Sequence, residues 1–152
     1  MSRRLAAILF YALVLAVPAA AQLETFPTGE VTIDTAGGPH KFAVEIATTP
    51  AQLEQGLMFR RHLAADAGML FDFGVPTRAT MWMKNTLIPL DMLFVGADGR
   101  IVNIHARAVP GSLEAIAAAA PVRAVIELNG GTADRLGIRP GDRVVSPIFA
   151  GG

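Results

Sequence analysis

The chain has 152 residues, 13 basic against 13 acidic side chains, and no cysteine. The even charge balance, with no basic run anywhere, argues against nucleic acid as a partner. The missing thiols exclude disulfides, cysteine nucleophiles and cysteine-based zinc sites, so stability has to come from an apolar core or a bound ligand.

Residues 1–21 place Arg3 and Arg4 before an apolar run from Leu5 to Val17 and end on Ala19-Ala20-Ala21. A basic start, a short apolar run and a small-residue end predict a secretory signal peptide cleaved after Ala21. The apolar run is 13 residues long, too short to cross a bilayer of roughly 30 Å as a helix. Cleavage would leave Gln22 to Gly152, 131 residues with 11 basic and 13 acidic groups. The expected product is exported, periplasmic or secreted, with no integral membrane span after cleavage. Residues 22–28 read as a disordered lead, 29–147 as one domain and 148–152 as a tail. That length suits one domain, able to bury roughly two-thirds of its unfolded surface.

Within the domain, residues 30–34 and 41–46 alternate apolar and polar around the turn cluster Ala36-Gly-Gly-Pro39, which predicts a hairpin. Thr49, Pro50 and Gln52 then form a helix start, with Thr49 as cap, Pro50 at the first helical position and Gln52 completing a capping box. Leu53 and Leu57 share a face of that helix, predicted over 49–57 and packed against one end of the domain. Residues 68–73, 80–84 and 91–95 read as strands. Asp98-Gly99 suits the positive φ of a two-residue hairpin turn, with the return strand at 100–106. Further along, 122–128 is a strand, 132–136 a short helix ending at Gly137, Arg139-Pro-Gly-Asp142 a type II turn and 144–145 the start of a last strand. Residues 112–120 have high helix propensity but are fenced by Pro110, Gly111 and Pro121, and read as a short helix or an irregular loop.

Many short strands at turn-rich spacing, with two short helices, predict an all-β sandwich or barrel. The segments QGLMFR (55–60), GMLFDF (68–73), MWMKNTLIPLDMLFV (81–95), DGRIV (98–102), VIELNGG (125–131) and LGIRPGDRV (136–144) resemble domain-of-unknown-function family 192. They occur in the family's order and span nearly the whole predicted domain. The resemblance implies a compact β-sandwich of jelly-roll-like type and no established activity.

Function therefore has to be read from the residues themselves. In MWMKNTLIPLDM, Trp82 and Lys84 share one strand face, and Met81, Met83 and Asn85 the other. Pro89 lacks a backbone donor, so the chain bends before Asp91. Lys84, Asn85 and Asp91 are then either structural, satisfying backbone donors or pairing with each other, or they line a polar site beside an indole, a common way to hold a hydroxylated ligand. The site reading puts Leu87, Ile88 and Leu90 in the core, with Trp82, Lys84, Asn85 and Asp91 around a shallow opening. Arg60 follows the first helix, where a basic residue complements the helix end or meets an anionic ligand. Glu127 shares a strand face with Asn129 and becomes a partner for Lys84 if the two strands are neighbours.

The expected function is a non-catalytic module binding a small polar ligand, such as a glycan or cell-envelope fragment, through Trp82, Lys84, Asn85, Asp91, Arg60 and Glu127, with no cofactor. Two alternatives stand beside it. One is an enzyme of unassigned acid–base chemistry, although no catalytic motif is present. The other is a copper protein using the thioethers of Met58, Met69, Met81, Met83 and Met92, with nitrogen from His40, His62 or His105. Met is also a flexible core filler, and Met69 and Met92 fall on strand faces shared with Phe.

Overall fold

Val31 and Ile33 alternate with polar neighbours, and so do Phe42 and Val44. In the computed structural model, which describes residues 22–150, these runs form an antiparallel hairpin of β1 (Thr28–Thr35) and β2 (Gly38–Ala47). The expected signal peptide lies outside the described residues.

The helix that follows starts as its sequence demands. In α1 (Pro50–Gln55), Thr49 Oγ1 accepts the Gln52 amide at 3.2 Å, and Gln52 Oε1 accepts the amides of Thr48 at 3.0 Å and Thr49 at 3.2 Å. The Gln52 side-chain amide also donates to the Thr25 carbonyl at 2.7 Å, tying the lead to the helix. The helix stops at Gly56, whose φ is +47° and where a Cβ would stand 2.8 Å from the Phe71 ring. Leu57 is buried, whereas Leu53 is only partly so.

The α1 connection returns the chain to β3 (Ala67–Thr77), which pairs with β2 in parallel, a crossover that a tight turn could not supply. The remaining strands are β4 (Thr80–Met81), β5 (Leu90–Val95), β6 (Ile101–Ala108), β7 (Ile116–Ala117), β8 (Val122–Asn129) and β9 (Arg143–Val145), with α2 (Thr132–Leu136) between the last two. Seven strands form one curled half-barrel sheet in the order β6-β5-β8-β3-β2-β1-β9, and β4 and β7 form a small ribbon. The protein is all-β with two short helices, and one parallel pair lies in an otherwise antiparallel sheet.

Some local expectations differ from the structure. Strand 80–84 ends at Met81, because the Met83 amide donates to the Ser112 carbonyl and Asn85 turns left-handed at φ +54°. Of the two readings of residues 112–120, the irregular loop is the one found, with two of them pairing with β4, since so short a fenced segment cannot offset the cost of helix nucleation. Leu87 is 49% exposed rather than a core anchor, while Leu90 is buried. Pro147–Phe149 form a 3-10 turn, with Ile148 and Phe149 against the core, where a tail was expected.

Strand alternation sorts the core into two clusters, one on each face of the sheet. Leu70, Leu93, Val95, Ile126 and Leu128 lie in one, and Met69, Phe71, Met92, Phe94 and Val125 in the other. All six residues of β5 are buried, and so are the five from Ala124 to Leu128 of β8. Each central strand therefore turns one face to each cluster, and a polar side chain there has to find a partner or bear the cost of its desolvation.

Candidate ligand cleft

Among the described residues Asp91 and Glu127 are the two buried carboxyl groups, at 0% and 4% exposure. Asp91 lies on the face of Leu93 and Val95. Its Oδ1 accepts the amides of Arg107 at 2.8 Å and Gly131 at 2.9 Å, and Oδ2 accepts the amide of Ala133 at 2.8 Å. Arg107 and Gly131 both hold positive φ, and Ala133 lies in the first turn of α2. One carboxylate thus fastens β6 and the Gly130-Gly131 turn to the start of α2. This position takes Asp91 out of the predicted opening. Its oxygens are occupied by backbone donors, and no Lys84 ion pair forms.

Glu127 lies on the opposite face. Across the sheet its register partners are Met69 on β3 and Met92 on β5. Neither offers a donor, and no hydrogen bond reaches the carboxyl among the described residues. Burial alone pushes its pKa up to about 8, so the group is mainly neutral at pH 7.

The carboxyl opens onto a cleft built by two loops. Phe59, held at φ +65°, donates its amide to the Asn85 carbonyl at 2.9 Å, and Asn85 Nδ2 stands 3.9 Å from Met58 Sδ. These contacts clasp residues 56–60 to residues 82–86. Behind them, Gly111 donates to the carbonyls of Met83 and Thr86, and Ser112 receives the Met83 amide. The resulting cleft is floored by Glu127 and Phe71, walled by Leu53, Met58, Met81 and Trp82, and reached by Glu54 and Thr86. It encloses about 260 Å³ including its mouth.

The predicted site residues separate in space. Trp82 and Glu127 share the cleft. Lys84 is exposed and sits with Nζ 4.9 Å from the Trp82 ring centroid, a cation–π contact. Asn85 is exposed at the rim. Arg60 pairs with Glu45 at 2.9 Å, away from any helix end. Glu127 therefore shares the cleft with the indole and makes no ion pair with Lys84. Met69, Met83 and Met92 are fully buried in the core cluster, whereas Met58 and Met81 line the cleft. Among the described residues no three His, Asp or Glu side chains gather as a metal site. Sequence reasoning missed Met58, Met81 and Leu53 as walls, Phe71 as floor, and Glu54 and Thr86 at the lip. Only the GLMF and MWM spacing hinted at the first two.

The family model DUF192, described as "Uncharacterized ACR", matches residues 31–146. The chain belongs to the DUF192 family. A crystal structure from Sinorhizobium meliloti 1021, provisionally described as a transcription regulator, is 51% identical over 80% of this chain and 95% of that one, with a TM-score of 0.78. A protein of unknown function from Novosphingobium aromaticivorans DSM 12444 is 46% identical over 86% of this chain and 94% of that one, with a TM-score of 0.79. No curated protein matches the chain. Membership of DUF192 carries the fold and no activity, so the cleft has to supply the functional argument.

Proposed function

We propose that this DUF192 chain is an exported, non-catalytic binding module whose small polar ligand enters the cleft between Trp82 and Glu127. The observation that carries this reading is a buried carboxyl without a hydrogen-bond partner, opening onto a cleft walled by a half-exposed indole. A carboxyl taken almost wholly out of solvent, with no donor from the described residues and one face on a cleft, marks a place for an outside partner. The ligand is free in solution or is the end of a larger cell-envelope fragment.

A binding role fits better than acid–base catalysis because Glu54, the second carboxylate of the cleft, does not couple to Glu127. The Glu127 pKa is raised by burial and by no neighbouring carboxylate, whereas paired acid–base work needs a second titrating group at a matched distance. The charge balance of 13 to 13 gives no support to a nucleic-acid partner, although one structural neighbour is provisionally described as a regulator.

Trp82 is the only tryptophan in the chain, so its fluorescence reports on the cleft alone. Screening small polar ligands by fluorescence and thermal shift should find one that perturbs the emission and raises Tm by binding the folded state. A ligand that raises Tm while Trp82 emission stays fixed binds elsewhere and removes this site. The export component is tested by N-terminal sequencing of the extracytoplasmic protein. It predicts a chain starting at Gln22, and one still starting at Met1 refutes it.

A further inference from the structure

We propose that the group received by the cleft is a protonated amine, the ammonium of a small organic cation or of an amine-bearing peptide end, with its charge facing the Glu127 carboxyl. This inference rests on the binding reading above and names the chemistry of the ligand. Three observations converge on it.

The first is size. The cleft is small, about 260 Å³ including its open mouth, which suits a small head group rather than an extended ligand.

The second is the electronic character of the lining. The floor is a carboxyl, the walls carry the Met58 and Met81 thioethers, and the indole of Trp82 and the ring of Phe71 add electron density. The Thr86 hydroxyl donates to the Lys84 carbonyl at 3.2 Å, so its proton is already engaged. Aromatic faces and thioethers around a carboxyl suit a cation.

The third is that the indole already holds one. Lys84 Nζ lies 4.9 Å from the Trp82 centroid, which shows that the ring is accessible to an ammonium.

The exchange balances. The neutral Glu127 carboxyl gives its proton to solvent, the ammonium keeps its own, and the complex contains one carboxylate against one cation. Few other charges face Glu127. Glu54 stands at the lip on α1 and the Lys84 ammonium lies over the Trp82 ring at the rim, while Met69 and Met92 on the flanking strands are uncharged. Beyond them in the same row lie Glu45, paired with Arg60, and the exposed His105.

The test is calorimetry on the chain from Gln22 to Gly152, using n-butylammonium and a dipeptide with a free lysine side chain. n-Butanol and N-acetylglucosamine serve as neutral probes and Ag⁺ as a soft-metal probe. The expected result is that the ammonium probes bind with release of one proton, read from the dependence of enthalpy on buffer. Their affinity should gain about tenfold per pH unit between about pH 6 and 7.5. Glu127→Gln should abolish that proton release and the pH slope, and Trp82→Leu, at an exposed position, should weaken binding at least tenfold. Binding of the neutral probes alone, without proton release, overturns the ammonium and keeps the cleft as a binding site. Binding of Ag⁺ alone overturns it in favour of a thioether metal site. Binding of no probe at millimolar concentration overturns both this inference and the binding reading.

Discussion

Two carboxyl groups on neighbouring strands of one sheet have opposite settings. Asp91 on β5 faces the α2 side and is met by three backbone amides within 2.9 Å. Glu127 on β8 faces the Met-rich side and is met by none, with its pKa carried to about 8. Both are almost wholly withdrawn from solvent, but only Asp91 has donors from the protein in its place. Burial of an acid therefore says little about its role until the donors around it are counted. The satisfied acid is a fastener, and the orphan is open to an outside partner.

The largest expected effect breaks the fastener. Asp91→Ala leaves the buried Ala133 amide and the part-buried Arg107 and Gly131 amides without their acceptor, at about 1–3 kcal/mol for each that water cannot reach, so the loss should be roughly 3 kcal/mol or more in a denaturant titration. A loss below about 1 kcal/mol would mean that water replaces the carboxylate and the fastening role fails.

The next effect sharpens the orphan. Below its ordinary pKa of 4.5, Glu127 is protonated in both the folded and unfolded chains. Between there and about 8 only the folded chain holds the proton, so stability should fall as pH rises through this window. The total is at most about 5 kcal/mol, since each tenfold change in proton affinity corresponds to about 1.4 kcal/mol. Glu127→Gln should flatten the fall between about pH 5 and 8, and an unchanged slope in that variant would assign the pH dependence to other groups.

A smaller effect lies in the capping box that holds the cleft's helical lip. Gln52→Ala removes acceptors for the Thr48 and Thr49 amides and a donor to the Thr25 carbonyl, for a loss of about 1–2 kcal/mol by thermal melting. The smallest is Lys84→Ala. An exposed cation over a half-exposed indole should contribute under about 1 kcal/mol. Unfolding of that variant would reveal a structural role at the rim.

The same contrast separates what the sequence discloses from what it conceals. The Thr49–Gln52 box, the Asp98-Gly99 turn and the Pro140-Gly141 turn were legible because the contacts that define them, Gln52 with Thr49, Gly99 with Gly96 and Asp142 with Arg139, lie within a few residues. The donors to Asp91 lie 16, 40 and 42 residues further along the chain. No local pattern announces them, and Asp91 therefore looked like a lining residue. The direction of Glu127 followed from strand parity. Its neighbours did not, because register across β3, β8 and β5 puts Met69 and Met92 beside it. Trp82 stood out as the lone indole in an apolar run, and it does border the cleft. Leu87 was misjudged because an apolar residue in an apolar run reads as core, whereas here it caps an exposed bend.

The most direct measurement is the ionisation of Glu127 itself, followed by the chemical shift of its side-chain carboxyl carbon in an NMR titration of the ligand-free protein. The account predicts a midpoint near 8, moving down when an ammonium probe is bound. A midpoint in the ordinary carboxylate range, about 4 to 5, would show that Glu127 has solvent or a donor beside it, and would contradict the claim that it is an orphan at the floor of a cleft.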